Sequence, residues 1–129
     1  MDPIDTPVLI VEDDRAIRSL LVTMLRRRGI AADTACDGAE ALTVLAKSHY
    51  SVLLLDAMMP RMTGYEFLDR IRHWNRARRP LIFLLTGSVS PRPYDPELVA
   101  GTIRKPFDVE LLTNMVSACL RAQEPGHVA

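Results

Sequence analysis

VLLLDAMMP, residues 52–60, carries a single carboxylate, Asp56, at the end of an apolar run and shortly before a proline. Strands buried on both faces of a parallel sheet read as near-continuous Val, Ile and Leu, without a polar alternation. VLIV (8–11) and LIFLLT (81–86) have the same character, and IAADTA (30–35) and TIR (102–104) are weaker runs of that kind. A carboxylate buried without a partner is costly. Asp56 therefore reaches a surface, or it meets other groups where its strand ends.

The segments between these runs carry a helical period. Ile17, Leu20, Leu21, Met24 and Leu25 give one apolar face, and Gly29 stands where that helix should stop. Ala41, Leu42, Leu45 and Ala46 suggest a second helix, and Phe67, Leu68, Ile71 and Trp74 a third. Leu112, Met115, Val116 and Cys119 form the last, with Asp108 placed to cap it. Strand and helix patterns alternating in this way predict an α/β fold, a doubly wound parallel sheet with right-handed crossovers and helices on both faces. One interval breaks the rhythm. GSVSPRPYDPELVAG (87–101) holds prolines at 91, 93 and 96, and a proline inside a helix costs about 3 kcal/mol. Asp95-Pro96 can still cap a first turn and Gly101 can end it. The fourth helix is therefore expected as a vestige over Glu97 to Ala100.

The 129 residues suit one domain, with 48% apolar and 25% charged residues. Sixteen basic and sixteen acidic residues cancel, so net charge points to neither nucleic acid nor membrane. MDPIDTP lacks the basic and apolar regions of a secretory leader, and no window approaches the roughly 20 apolar residues of a membrane span. Cys36 and Cys119 form no CxxC pair and read as thiols in a reducing compartment. A cytoplasmic domain is expected.

Ligands of open parallel sheets bind outside the carboxyl ends of the strands. Glu12, Asp13 and Asp14 follow the first run; Asp56 ends the third, Thr86 the fourth, and Lys105 follows the fifth. Each has an ordinary explanation alone: acidic residues cap the next helix and meet its positive end, and a lysine or threonine in a loop is simply solvated. Asp56 is harder to explain that way, since it begins no helix. Together, Glu12, Asp13 and Asp56 on one edge require a cation. Two carboxylates about 4 Å apart repel by about 4 kcal/mol at an effective dielectric near 20. Hard oxygen ligands favour Mg²⁺, which shares its sites with phosphate oxygens. A metal, a lysine, a hydroxyl and an aspartate nucleophile suit phosphoryl transfer through an aspartyl-phosphate.

VLIVEDDRAIRSLL, VLLLDAMMPRMTGYEFL, LIFLLTG and KPF, in that order and at this spacing, resemble the receiver domain of two-component response regulators. The resemblance covers about residues 7–121, leaving tails at 1–6 and 122–129. It implies a flavodoxin-like five-stranded sheet in the order 2-1-3-4-5. It also implies that Asp56 is the phosphoacceptor and a metal ligand. Asp13 would be a direct Mg²⁺ ligand, Glu12 would act through water, and the Met58 backbone carbonyl would be the third protein ligand. Thr86 corresponds to the switch hydroxyl and Lys105 to the phosphoryl-binding lysine, with a cis bond to Pro106. Asp14 matches a position where capping is an adequate account. The phosphoryl donor would be a sensor histidine kinase or a phosphotransfer protein, and a downstream protein would read the result.

Two departures stand out. Thr102 occupies the position where the family usually has Tyr or Phe, and the stretch from Thr86 to Lys105 is short and proline-rich. Both bear on the usual output face, and Tyr94 is a candidate to replace the ring. Only QEPGHVA follows the last helix, so no DNA-binding module is expected within this chain, whether it stands alone or belongs to something larger. RIRHWNRARR (70–79), with five arginines, reads as a solvated helix end or as a docking patch for an acidic partner. His49, His73 and His127 form no cluster. Two rival functions remain. One is an interaction module without phosphate control, favoured by Thr102 and the reduced helix. The other is an aspartate-nucleophile phosphatase of haloacid dehalogenase type, which needs an acid/base Asp where this chain has Met58.

Overall fold

The structure is a computed structural model that describes residues 6–74, 79–87 and 93–123. Five strands, β1 (Val8–Val11), β2 (Ala32–Ala35), β3 (Val52–Asp56), β4 (Leu81–Thr86) and β5 (Val99–Arg104), form one sheet in the order β2-β1-β3-β4-β5. All four pairings are parallel. Four helices, α1 (Arg15–Arg26), α2 (Gly38–Lys47), α3 (Gly64–Ile71) and α4 (Val109–Ala122), cover its two faces. No helix among the described residues is long and apolar enough to cross a membrane.

Successive strand residues point to opposite faces, and the core divides accordingly. Leu9, Val11, Leu53, Leu55, Ile82 and Leu84 pack with Ala41 and Leu45 of α2 and with Phe67, Leu68 and Ile71 of α3. Val8, Ile10, Val52, Leu54, Phe83 and Leu85 pack with Leu21 and Leu25 of α1 and with Leu112 and Val116 of α4. Every residue of β1 and β3 is buried, so these runs carry no polar alternation. Each helix starts at a side-chain cap: Asp14, Asp37, Thr63 and Asp108 each accept from backbone N–H groups of the first turn. Thr63 and Glu66 complete a reciprocal capping box.

Several boundaries differ from the sequence expectation. Ile30 belongs to the close of α1, because Gly29 turns the chain with φ 74° and the Ile30 N–H reaches the Leu25 carbonyl at 3.0 Å. β2 therefore begins at Ala32. α3 ends at Ile71, and Trp74 packs on the core from the turn beyond, so its apolar period outlasts the helix. β5 begins at Val99, three residues before the expected TIR run.

The fourth helix of the expectation is a single turn at 96–98, and Val99–Ala100 are strand. Asp95 caps that turn through Glu97 N, and its carbonyl accepts from Leu98 N and Val99 N. Among the described residues no helix lies between β4 and β5. Leu98 belongs to the cluster that includes Ile82 and Leu84 of β4, and Tyr94 packs against it. Ala100, Thr102 and Arg104 stay exposed on β5. Ser88, Pro91, the arginines at 76 and 78, His127 and the two tails beyond Thr6 and Gln123 lie outside the described residues.

Gly64 shows how tightly α3 abuts β3. A methyl group there would lie 2.6 Å from the Asp56 carbonyl oxygen and 2.9 Å from Ala57 Cα, both backbone atoms. At Gly87 the same methyl would meet nothing within 4 Å. We expect Gly64→Ala to lower unfolding free energy by about 1–3 kcal/mol and Gly87→Ala to change it by less than about 0.5 kcal/mol. Urea denaturation of the two variants measures the contrast.

Candidate functional site at the strand ends

The parallel register assembles the site. Val11 pairs with Leu55, so the next residues, Glu12 and Asp56, emerge side by side. Asp56 pairs with Leu85, and Thr86 pairs with Arg104. The Lys105 N–H donates to the Thr86 carbonyl at 2.7 Å, and the Ala57 N–H donates to the Leu85 carbonyl at 2.9 Å. Residues from four segments thus share one edge because their strands end nearly flush.

Glu12 is fully buried, Asp56 is 4% exposed and Asp13 is exposed. One carboxylate oxygen from each lies within 4.8 Å of the others. Lys105 Nζ donates to Glu12 Oε1 at 2.7 Å and lies 3.4 Å from Asp56 Oδ1. The Met58 N–H also donates to Asp56 Oδ1, at 3.1 Å, while the Met58 side chain is exposed. Thr86, 4% exposed, closes β4 on the same edge, and the Lys105–Pro106 bond is cis. The expected residues Glu12, Asp13, Asp56, Met58, Thr86 and Lys105 all lie at this edge. Thr102 lies within β5, away from the strand ends.

Burial, and then the adjacent Asp56 carboxylate, push the Glu12 carboxyl above its usual range, against the pull of Lys105. Burial alone would lower Lys105, but the Glu12 and Asp56 carboxylates outweigh it and raise its pKa. Three carboxylates facing one ammonium leave a local excess of negative charge. The oxygen-only donor set, without His or Cys, fits a hard divalent cation.

Other groups at the edge had little or no signal in the sequence. Arg18 NH1 donates to the carbonyls of Glu12 and Asp13, at 2.8 and 3.1 Å. As one more arginine on an amphipathic helix it has no distinguishing pattern. The loop after Asp56 is tied down by Arg61, whose guanidinium meets the α2 cap Asp37 at 3.0 Å. That contact and the Glu40 amide hold the Asp37 carboxyl below its usual pKa, the amide first. Arg61 sits at φ 68°, a conformation unusual for a residue with a β-carbon. The Thr63–Glu66 capping box did have a readable signal, the S/T-x-x-E spacing before an apolar run.

The family described as the response regulator receiver domain matches residues 8–117. Response regulator MprA of Mycobacterium leprae is 35% identical over 123 residues, covering 95% of this chain and 54% of that protein. MprA of Mycobacterium avium is 35% identical over 119 residues, covering 92% and 52%. The chain thus spans about half the length of the curated relatives it matches. Among solved structures, Vibrio cholerae chemotaxis protein CheY4 superposes with a TM-score of 0.78 at 31% identity, covering 89% of this chain and 98% of that one. Thermotoga maritima response regulator TrrA, solved in complex with Mg²⁺-BeF, gives a TM-score of 0.77 at 30% identity, covering 88% and 98%. With its five-stranded 2-1-3-4-5 sheet and its acidic cluster at the strand ends, the chain belongs to the receiver domain family of two-component response regulators, the phosphoacceptor signalling domains.

Proposed function

We propose that Asp56 accepts the phosphoryl group, that Glu12, Asp13, Asp56 and the Met58 carbonyl hold Mg²⁺, and that Lys105 and Thr86 bind the phosphoryl oxygens. One observation carries this reading: three carboxylates converge beside a lysine that already lies 3.4 Å from Asp56. Bound Mg²⁺ supplies charge neutralisation for the carboxylates and for the transferring group. The chain's own residues do the rest. The Met58 N–H donates to Asp56 Oδ1, and Lys105 lies beside the same oxygen. A carboxylate oxygen forms the new P–O bond as the P–N bond of a donor phosphohistidine breaks. The departing imidazole keeps the electron pair and takes a proton from solvent. Lys105 then exchanges its contact with Glu12 for the phosphoryl oxygens, and the Thr86 hydroxyl turns to the same group.

The donor in this reading is a sensor histidine kinase or a phosphotransfer protein, and the product is read by another protein. The domain, residues 7–121, works in the cytoplasm and catalyses only its own phosphorylation and dephosphorylation. A haloacid dehalogenase-type phosphatase is disfavoured, because Met58 has no proton to transfer. An interaction module without phosphate control is favoured by the exposed Thr102 and by the absence, among the described residues, of a helix between β4 and β5.

Incubation with Mg²⁺ and acetyl phosphate should add one phosphoryl group to the intact mass, and Asp56→Asn or EDTA should abolish the gain. No adduct at any Mg²⁺ concentration would leave the interaction module, and rapid turnover of phosphate esters would indicate the phosphatase. A second prediction concerns charge. Asp13 contributes negative charge that Lys105 offsets only in part, so Asp13→Asn should melt above the parent in EDTA. At Mg²⁺ a hundredfold above Kd the parent should gain about 2.7 kcal/mol, and Asp13→Asn should lose most of that gain. Thermal melts with and without Mg²⁺ measure both.

A further inference from the structure

We propose that Arg18 is a positioning residue that sets the geometry of the Mg²⁺ site by holding the acidic turn Glu12–Asp14 through its backbone. This rests on the reading of the cluster as a Mg²⁺ site. The turn joins β1 to α1, and all three of its carbonyls accept from Arg18. NH1 donates to Glu12 O at 2.8 Å and to Asp13 O at 3.1 Å, and the Arg18 backbone N–H donates to Asp14 O at 3.0 Å. The amides at either end of the turn are held as well. The Glu12 N–H donates to Ala35 O at 3.1 Å, and the Asp14 N–H points to Glu12 Oε2 at 3.5 Å.

The clamp matters most for Asp13. Its carboxylate is exposed, and no hydrogen bond to it is seen among the described residues. The two peptide planes flanking its Cα set where its side chain starts from, and the guanidinium grips the carbonyl of each. Loss of such a support usually weakens metal binding by about tenfold or more, with no ligand removed.

Charge and geometry act in opposite directions here, so the sign of the effect discriminates between them. Arg18 is a cation close to a cation site. By Coulomb's law alone its removal would tighten Mg²⁺ binding; as a clamp, its removal weakens binding. Arg15, the first residue of α1 and exposed, supplies the control, since it carries the same charge without gripping the turn.

The test is Mg²⁺ calorimetry on the whole chain with parent, Arg18→Met, Arg18→Gln, Arg18→Lys and Arg15→Met. Amide exchange of Asp13 and Asp14 without metal provides the second readout. Arg18→Met and Arg18→Gln should weaken Mg²⁺ by about tenfold and speed exchange at both amides. Arg18→Lys, which keeps one donor nitrogen, should recover most of the affinity. Arg15→Met should bind as tightly as the parent or more tightly. Unchanged or tighter binding by either neutral Arg18 variant, in a parent that binds Mg²⁺ and takes a phosphoryl group, would overturn the clamp alone. If Arg18→Met does not fold, Arg18→Gln decides. A parent that neither binds Mg²⁺ nor takes a phosphoryl group would overturn the site reading itself.

Discussion

The ion pair between Lys105 and Glu12, 2.7 Å long and with Glu12 fully excluded from solvent, is the contact on which the rest of the edge depends. A buried carboxylate is tolerated only when paired, and Glu12 shares its one ammonium with Asp56. Desolvation still prevails at Glu12, whose carboxyl remains above its usual range despite the pair. Three carboxylates beside one ammonium leave the edge with an excess of negative charge. That imbalance suits the edge to a hard divalent cation.

Backbone placement makes the imbalance possible. β1 and β3 bury every residue, so a one-residue slip would exchange the side chains fitted against α2 and α3 for those fitted against α1 and α4. Gly64 lets α3 press against the carbonyl of Asp56, and the Met58 amide holds one oxygen of its carboxylate. On the other side, Arg18 fastens the turn carrying Glu12 and Asp13. Preorganisation of this kind lets a site bind charge with little rearrangement.

The sheet and most of the site could be read in the sequence, for physical reasons. VLIV, VLLLD and LIFLLT coincide with β1, β3 and β4 because strands buried on both faces leave no room for polar residues. Glu12, Asp56, Thr86 and Lys105 follow directly, since ligand sites lie at strand ends. β5 extends beyond its legible TIR run because Val99-Ala100-Gly101 follows a proline-rich stretch and lacks a strong strand signal. Trp74 suggested too long a helix because burial continues past the hydrogen-bonded turns. The support supplied by Arg18 and Gly64 was illegible. It depends on which backbone atoms approach in three dimensions, and composition and period do not encode that.

The face that departs from the family lies elsewhere. A single turn at 96–98 stands where the vestige of a fourth helix is expected, and Ala100, Thr102 and Arg104 are exposed on β5. The strand-end cluster draws none of its side chains from that face. The most direct measurement of the central claim is therefore site mapping: borohydride reduction of the phosphorylated protein, followed by peptide sequencing in a mass spectrometer. Reduction of an aspartyl-phosphate leaves homoserine, and the account places it at position 56. Homoserine at position 13, or at no position in protein that carries the added phosphoryl group, would contradict it.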